Sequence, residues 1–220
     1  DGYSLHGIRE ESLADPNIDV VTTHHYPNVG KGEYIAPIRE ARAKSRGRKP
    51  YFVGEFGFIP PDEIAAVYDE VIDGGVSGAL LWSLRFHHRD GGFYWHSEPA
   101  GEGLYKAYHW PGFASGDKYG EREVMRLTRE KAYEIRGEEP PPLEVPAPPR
   151  LLPIADPAAI SWQGSAGALS YRVERATKAA GPWAELANAV DDAAVQHRPL
   201  FTDATAEPGR SYYYRVTAKN

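Results

Sequence analysis

The chain has no cysteine in its 220 residues. That excludes a disulfide framework, a thiolate nucleophile and any cysteine-containing zinc site, and it leaves the compartment open. No apolar run approaches the roughly 20 residues a helix needs to span a bilayer, and no positively charged leader precedes an apolar core. An excess of positive charge is also missing: 25 lysines and arginines stand against 31 acidic residues, a net charge of −6 with an isoelectric point near 5.8. Nucleic acid and membrane are therefore not expected partners. Hydrophobic content is 41%, that of an ordinary globular protein.

From residue 18 to about 137, short β-rich runs alternate with longer amphipathic stretches, the pattern of βα units around a parallel sheet. The first predicted strand is Ile18 to His25, ended by Tyr26-Pro27-Asn28, and its helix runs from about Glu33 to Ser45. The second strand, Tyr51 to Glu55, leads through Pro60-Pro61 into a helix with Ile64, Val67, Tyr68, Val71 and Ile72 at helical spacing, stopped by Gly74-Gly75. A third strand over Gly78 to Leu84 opens into an aromatic loop reaching about Tyr119. The last helix, Glu121 to Arg136, places Val124, Leu127, Thr128, Ala132 and Ile135 toward a core.

Residues 138–149 are too rich in proline to continue a helix and read as an extended linker. Beyond them, short alternating runs around Ala159–Trp162, Tyr171–Arg175 and Tyr212–Thr217 predict a β-sandwich. The expected domains are 1–137, a linker over 138–149, and 150–220. The chain opens on Asp1-Gly2 without a methionine and closes directly after a strand-like run, so a longer parent chain is expected.

Three segments could carry chemistry. Glu55 closes an apolar strand where the chain must turn into a helix, and burying a carboxylate there is costly unless it is paired or used. Taken alone, it equally suits a helix cap or an ion pair. His24 and Tyr26 end the preceding strand on one side, where a phenol could hold a neighbouring carboxylate ionised; an anchored turn is the alternative. The third segment starts at Trp82 and continues through His87, His88, Arg89, Asp90 and Trp95. Its aromatic and polar groups suit a pyranose, whose apolar face packs on rings while its hydroxyls take charged partners, although the same rings could simply fill a packed loop. The pairs His24-His25 and His87-His88 do not read as a metal site, because adjacent strand residues point to opposite faces and no second ligand motif accompanies them. No cofactor is expected.

In this order, His-x-Tyr at His24/Tyr26, Gly-Glu-Phe-Gly around Glu55, and Trp82 with its Arg-Phe-His-His-Arg-Asp-Gly-Gly loop resemble the last three strands of the family 5 glycoside hydrolases. These are retaining (β/α)₈-barrel enzymes, and the loop most resembles mannan endo-1,4-β-mannosidases. The resemblance implies an α/β fold comprising barrel strands six to eight. It implies Glu55 as nucleophile, Tyr26 as its orienting partner, and His24, Trp82, His87, His88, Arg89, Asp90 and Trp95 as substrate-binding residues.

It also implies a β-linked polysaccharide substrate and a secreted protein. The family's acid/base glutamate follows an asparagine, and no Asn-Glu dipeptide occurs in this sequence. The missing N-terminal half of the barrel is therefore expected to supply it, and the chain alone is expected to be inactive. A β-glucanase, an exo-β-mannosidase or a non-catalytic glycan binder are the alternatives. The C-terminal run resembles a fibronectin type III domain lacking its last strand. Trp162 would be its buried tryptophan, and Tyr212 would sit at its tyrosine corner.

Overall fold

The computed structural model describes residues 7–26, 34–97, 104–105, 107–113, 120–194, 196 and 199–220. Pro27, Asn28, Glu33 and Tyr119, used above to bound elements, lie outside them. The chain divides into two compact units, Asp1–Leu84 with Gly116–Pro140, and Arg85–Ser115 with Pro141–Asn220.

The first unit is built from α1 (Glu10–Ala14), β1 (Val21–His25), α2 (Ile35–Ser45), β2 (Tyr51–Phe56), α3 (Pro61–Asp73), β3 (Gly78–Leu81) and α4 (Glu121–Glu134). Its three strands form a parallel sheet in the order β1-β2-β3, as alternating βα units require. Helix α3 starts at Pro61, whose fixed φ suits a first helical position, and carries Asp62 and Glu63 in its first turn, where acidic side chains favour the helix dipole. Its buried stripe is Ile64, Val67, Tyr68 and Val71. Gly75 takes the left-handed conformation at φ +63, and Val76 N–H closes the helix onto Val71 O at 3.0 Å.

Two strand boundaries and one helix face differ from expectation, β3 ending at Leu81 and not at Leu84. β1 begins at Val21, not Ile18, because the Lys49 ammonium donates to the carbonyls of Ser12, Asp15 and Ile18 and draws that segment out of the ladder. In α4, Val124 and Met125 are buried, but Ala132 and Ile135 are exposed. They line an open cleft of about 410 Å³ with Tyr68, Val71 and Leu80 instead of filling it. β3 is correspondingly half-exposed, with Leu80 at 60%.

Alternation along β1 sends His25 away from His24 and into the core, where it is 7% exposed and its Nε2 lies 2.8 Å from Thr23 Oγ1. Burial, with a smaller contribution from repulsion by His24, lowers its pKa from 6.5 to about 4. The folded state therefore disfavours the protonated ring. The contribution to stability is complete above pH 6.5 and is lost as the pH falls toward 4, by about 3 kcal/mol. Resistance of the first unit to urea is expected to fall as the pH drops through that window, and His25→Gln to flatten the dependence.

The second unit opens with short strands: β4 (Leu84–Arg85) at the junction, then β5 (His96–Ser97), β6 (Leu104–Tyr105) and β7 (Tyr108–His109). It continues with β8 (Arg150–Leu151), β9 (Trp162–Gln163), β10 (Ser170–Ala176), β11 (Ala184–Val190) and β12 (Tyr213–Lys219). β10 pairs antiparallel with both β11 and β12, and β8 pairs with β9. Ile160, Trp162, Tyr171 and Val173 form the core of this β-rich module, covered by Tyr214, Val216 and Ala218 from alternate positions of β12. The Tyr212 hydroxyl accepts a hydrogen bond from Glu207 N–H at 3.2 Å, tying the turn before β12. Strand β11 was not anticipated: Ala-Glu-Leu-Ala-Asn-Ala-Val is poor in β-branched and aromatic residues, and its pairing with β10 overrides that preference.

Candidate active site

The register of the parallel sheet builds the site. Thr23 faces Val53, but the next residue, His24, faces Glu55, so Gly54 is an extra residue in β2. A bulge of this kind resets the alternation. Tyr51 and Val53 point into the core, and a regular strand would send Glu55 after them. With Gly54 inserted, Phe56 takes the buried position at 0% exposure, and Glu55 shares the half-buried face with His24. Glycine leaves room at the bulge: a Cβ on Gly54 would stand 3.0 Å from Thr22 Cβ and 3.1 Å from His24 Nε2, so those side chains would have to give slightly.

On that face, the Tyr26 hydroxyl donates to Glu55 Oε2 at 2.7 Å, and His24 Nδ1 lies 3.5 Å from the same oxygen. The first distance is that of a charge-assisted hydrogen bond to a carboxylate. Among the described residues, no lysine or arginine pairs with Glu55. Nor does it cap the following helix, whose N-cap is Pro60 without a side-chain hydrogen bond. Among the described residues, neither a helix cap nor a lysine or arginine pair therefore accounts for the carboxylate. What remains is an acid held by a phenol, with one face partly open to solvent at 27% side-chain exposure.

Trp82 follows β3, and its N–H donates to Phe56 O at 2.7 Å, which anchors it one residue past Glu55. Gly57 permits this approach. Its φ is +156, and a Cβ there would fall on the Trp82 carbonyl oxygen.

The remaining sequence-predicted residues belong to the second unit and form a β-hairpin. Tyr94 N–H bonds to Phe86 O at 3.0 Å and His88 N–H to Gly92 O at 2.8 Å, while His87 bridges to Phe93. Its two faces differ. On one, the His87 ring stacks on Phe93 with centroids 4.1 Å apart, and Phe93 packs with Phe113, Ala193 and the half-buried Trp95. On the other, Tyr94 lies between Phe86, at 5.0 Å, and His88, at 4.2 Å. Arg89 and Asp90 form the exposed tip, with side chains 82% and 68% exposed. Phe86, not among the expected substrate-binding residues, is 71% exposed on the same face as Tyr94. Its signal was the alternation that makes 86 and 88 neighbours on the face opposite 87.

Among the described residues, no group of three or more histidines and carboxylates is placed to hold a metal ion. No helix among them is long and apolar enough to cross a membrane.

No family model and no curated protein matches the chain. Among solved structures it is similar to an endo-beta-1,4-mannanase from Thermotoga petrophila, at 19% identity and a TM-score of 0.39 over 74% of this chain and 37% of that one.

Proposed function

We propose that this chain carries the nucleophile of a retaining β-glycoside hydrolase acting on β-1,4-linked polysaccharide, with mannan as the preferred substrate. The observation that carries the reading is the Glu55 carboxylate, with Tyr26 at 2.7 Å, His24 at 3.5 Å and no lysine or arginine partner among the described residues. In the first step, Glu55 would attack the anomeric carbon and form a glycosyl–enzyme ester as the leaving oxygen departs with a proton. Tyr26, donating to Oε2, would keep the carboxylate ionised and aimed, leaving Oε1 to bond with the sugar. Water would then hydrolyse the ester. His24 would line the sugar site, and Trp82 would form the platform at the cleaved bond.

Both steps on a natural glycan also need an acid/base carboxyl group about 5–5.5 Å from the nucleophile. We assign that group to a glutamate outside this sequence, and in this reading residues 1–137 are barrel strands six to eight. We read residues 150–220 as a fibronectin type III-like module joined by the linker 138–149, in a secreted protein.

The test avoids the missing acid, because fluoride leaves without protonation. A 2-deoxy-2-fluoro-β-mannosyl fluoride is expected to esterify Glu55 in this chain, located by peptide mass spectrometry. Labelling of another carboxylate, or none at all, rejects the assignment. Slower labelling by the mannosyl than by the glucosyl fluoride would reject mannan preference alone.

A further inference from the structure

Asp192 is fully buried in the second unit, at 0% exposure, and among the described residues neither of its oxygens has a hydrogen-bond partner and no lysine or arginine pairs with it. Its Oδ2 lies 3.4 Å from His87 Nε2. The Tyr171 hydroxyl approaches the same carboxylate and accepts Ser165 N–H at 2.8 Å. Burial first, and then the Asp192 charge, push the Tyr171 phenol well above its ordinary pKa. All three groups converge over Gly164. A Cβ at that residue would fall on Asp192 Oδ2 and stand 2.5 Å from both His87 Nε2 and the Tyr171 oxygen. Isolating a carboxylate this thoroughly costs several kcal/mol unless something answers its charge, and the imidazole is the group placed to do so.

The position of His87 gives the arrangement its meaning. It sits on the inner face of the hairpin 86–94, and the hairpin touches the β-rich module at further points: Phe93 bridges to Gln196, and a Cβ on Gly91 would stand 3.0 Å from Ser161 Cβ. With its inner face fixed, the hairpin turns Phe86, Tyr94, Arg89 and Asp90 outward. We propose that Asp192 is a positioning residue, which holds His87 and through it the hairpin, so that the β-rich module sets the geometry of a sugar-contacting surface on its own unit. The consequence for sugar rests on the glycan reading of the hairpin. The module then does more than space domains apart. Without the carboxylate, the His87 ring loses its orienting partner and the hairpin opens more often.

The experiment uses the 220-residue chain and its Asp192→Asn, Tyr171→Phe, His87→Gln and Asp192→Asn/His87→Gln variants. Amide exchange over 86–94, the ¹⁵N signals of the His87 ring and mannohexaose affinity are measured on each. Asp192→Asn is expected to shift the ring signals, speed exchange about tenfold and weaken mannohexaose binding about tenfold. Tyr171→Phe, which keeps its ring against Trp162, is expected to act in the same direction and more weakly. The double variant should bind no more weakly than His87→Gln alone, because both changes break one interaction. Unchanged exchange and ring signals in a folded Asp192→Asn or Tyr171→Phe chain overturn the positioning role. Faster exchange with undiminished affinity overturns its link to sugar. If the wild-type chain binds no mannohexaose, the glycan reading of the hairpin is rejected, and exchange with the ring signals still decides whether Asp192 holds it.

Discussion

Glu55→Gln is expected to abolish glycosylation by the fluoride substrate, lowering its rate by at least roughly 10⁴-fold, while mannohexaose affinity stays within about twofold. Glutamine keeps the shape of glutamate, and its carbonyl oxygen can still accept from Tyr26. What it loses is the anionic oxygen that forms the bond. Tyr26→Phe separates orientation from nucleophilicity. It removes one hydrogen bond to a charged group, worth about 1.5–3 kcal/mol, so labelling should slow about 10- to 100-fold without stopping. Stopped-flow fluoride release measures both variants. A Glu55→Gln chain that still accumulates the ester would show that the nucleophile lies elsewhere, and a Tyr26→Phe chain as fast as wild type would make the phenol a bystander.

The second large effect is on stability. Gly57→Ala is expected to cost roughly 3 kcal/mol, because a methyl group at φ +156 falls on the Trp82 carbonyl oxygen and one of the two backbones must move. Gly47→Ala is the comparator. Gly47 also has positive φ, at +74, but nothing lies within 4 Å of a Cβ there, so it should cost only about 1 kcal/mol. Urea unfolding of the two variants measures the difference. Equal losses would mean that backbone strain alone is responsible, and that the Gly57–Trp82 approach is not what fixes the end of β3 beside β2. Because Trp82 would shift with its carbonyl, Gly57→Ala should also slow labelling of Glu55.

The βα alternation of the first unit was legible because period-two strands and period-3.6 helices leave different apolar spacings, and because Pro61, which has no N–H to pair, and Gly75, which takes a positive φ that few other residues adopt, mark the ends of α3. The contact between Tyr26 and Glu55 was legible in outline: neighbouring parallel strands carry their C-terminal residues side by side. Its mechanism was not. Counting by twos from the buried Tyr51 and Val53 sends Glu55 into the core, and only the bulge at Gly54 brings it round to His24. A bulge is a property of a strand pair, set by what the partner strand places opposite, and a single sequence does not state its partners.

The aromatic loop shows the same division. Its composition announced rings and charges, and the alternation of 86, 87 and 88 was there to read. The face that turns inward meets a carboxylate more than a hundred positions away: Asp192, beside Gly164, lies 3.4 Å from His87, while Phe86 on the other face is open to solvent. The sequence by itself therefore determined the alternating strands and helices of the first unit, the charge that disfavours polyanion partners, and the residue types at each strand end. Tertiary structure decided the facing of Glu55 and the assignment of the hairpin to the second unit, because both depend on pairings between distant segments whose energies no local window contains.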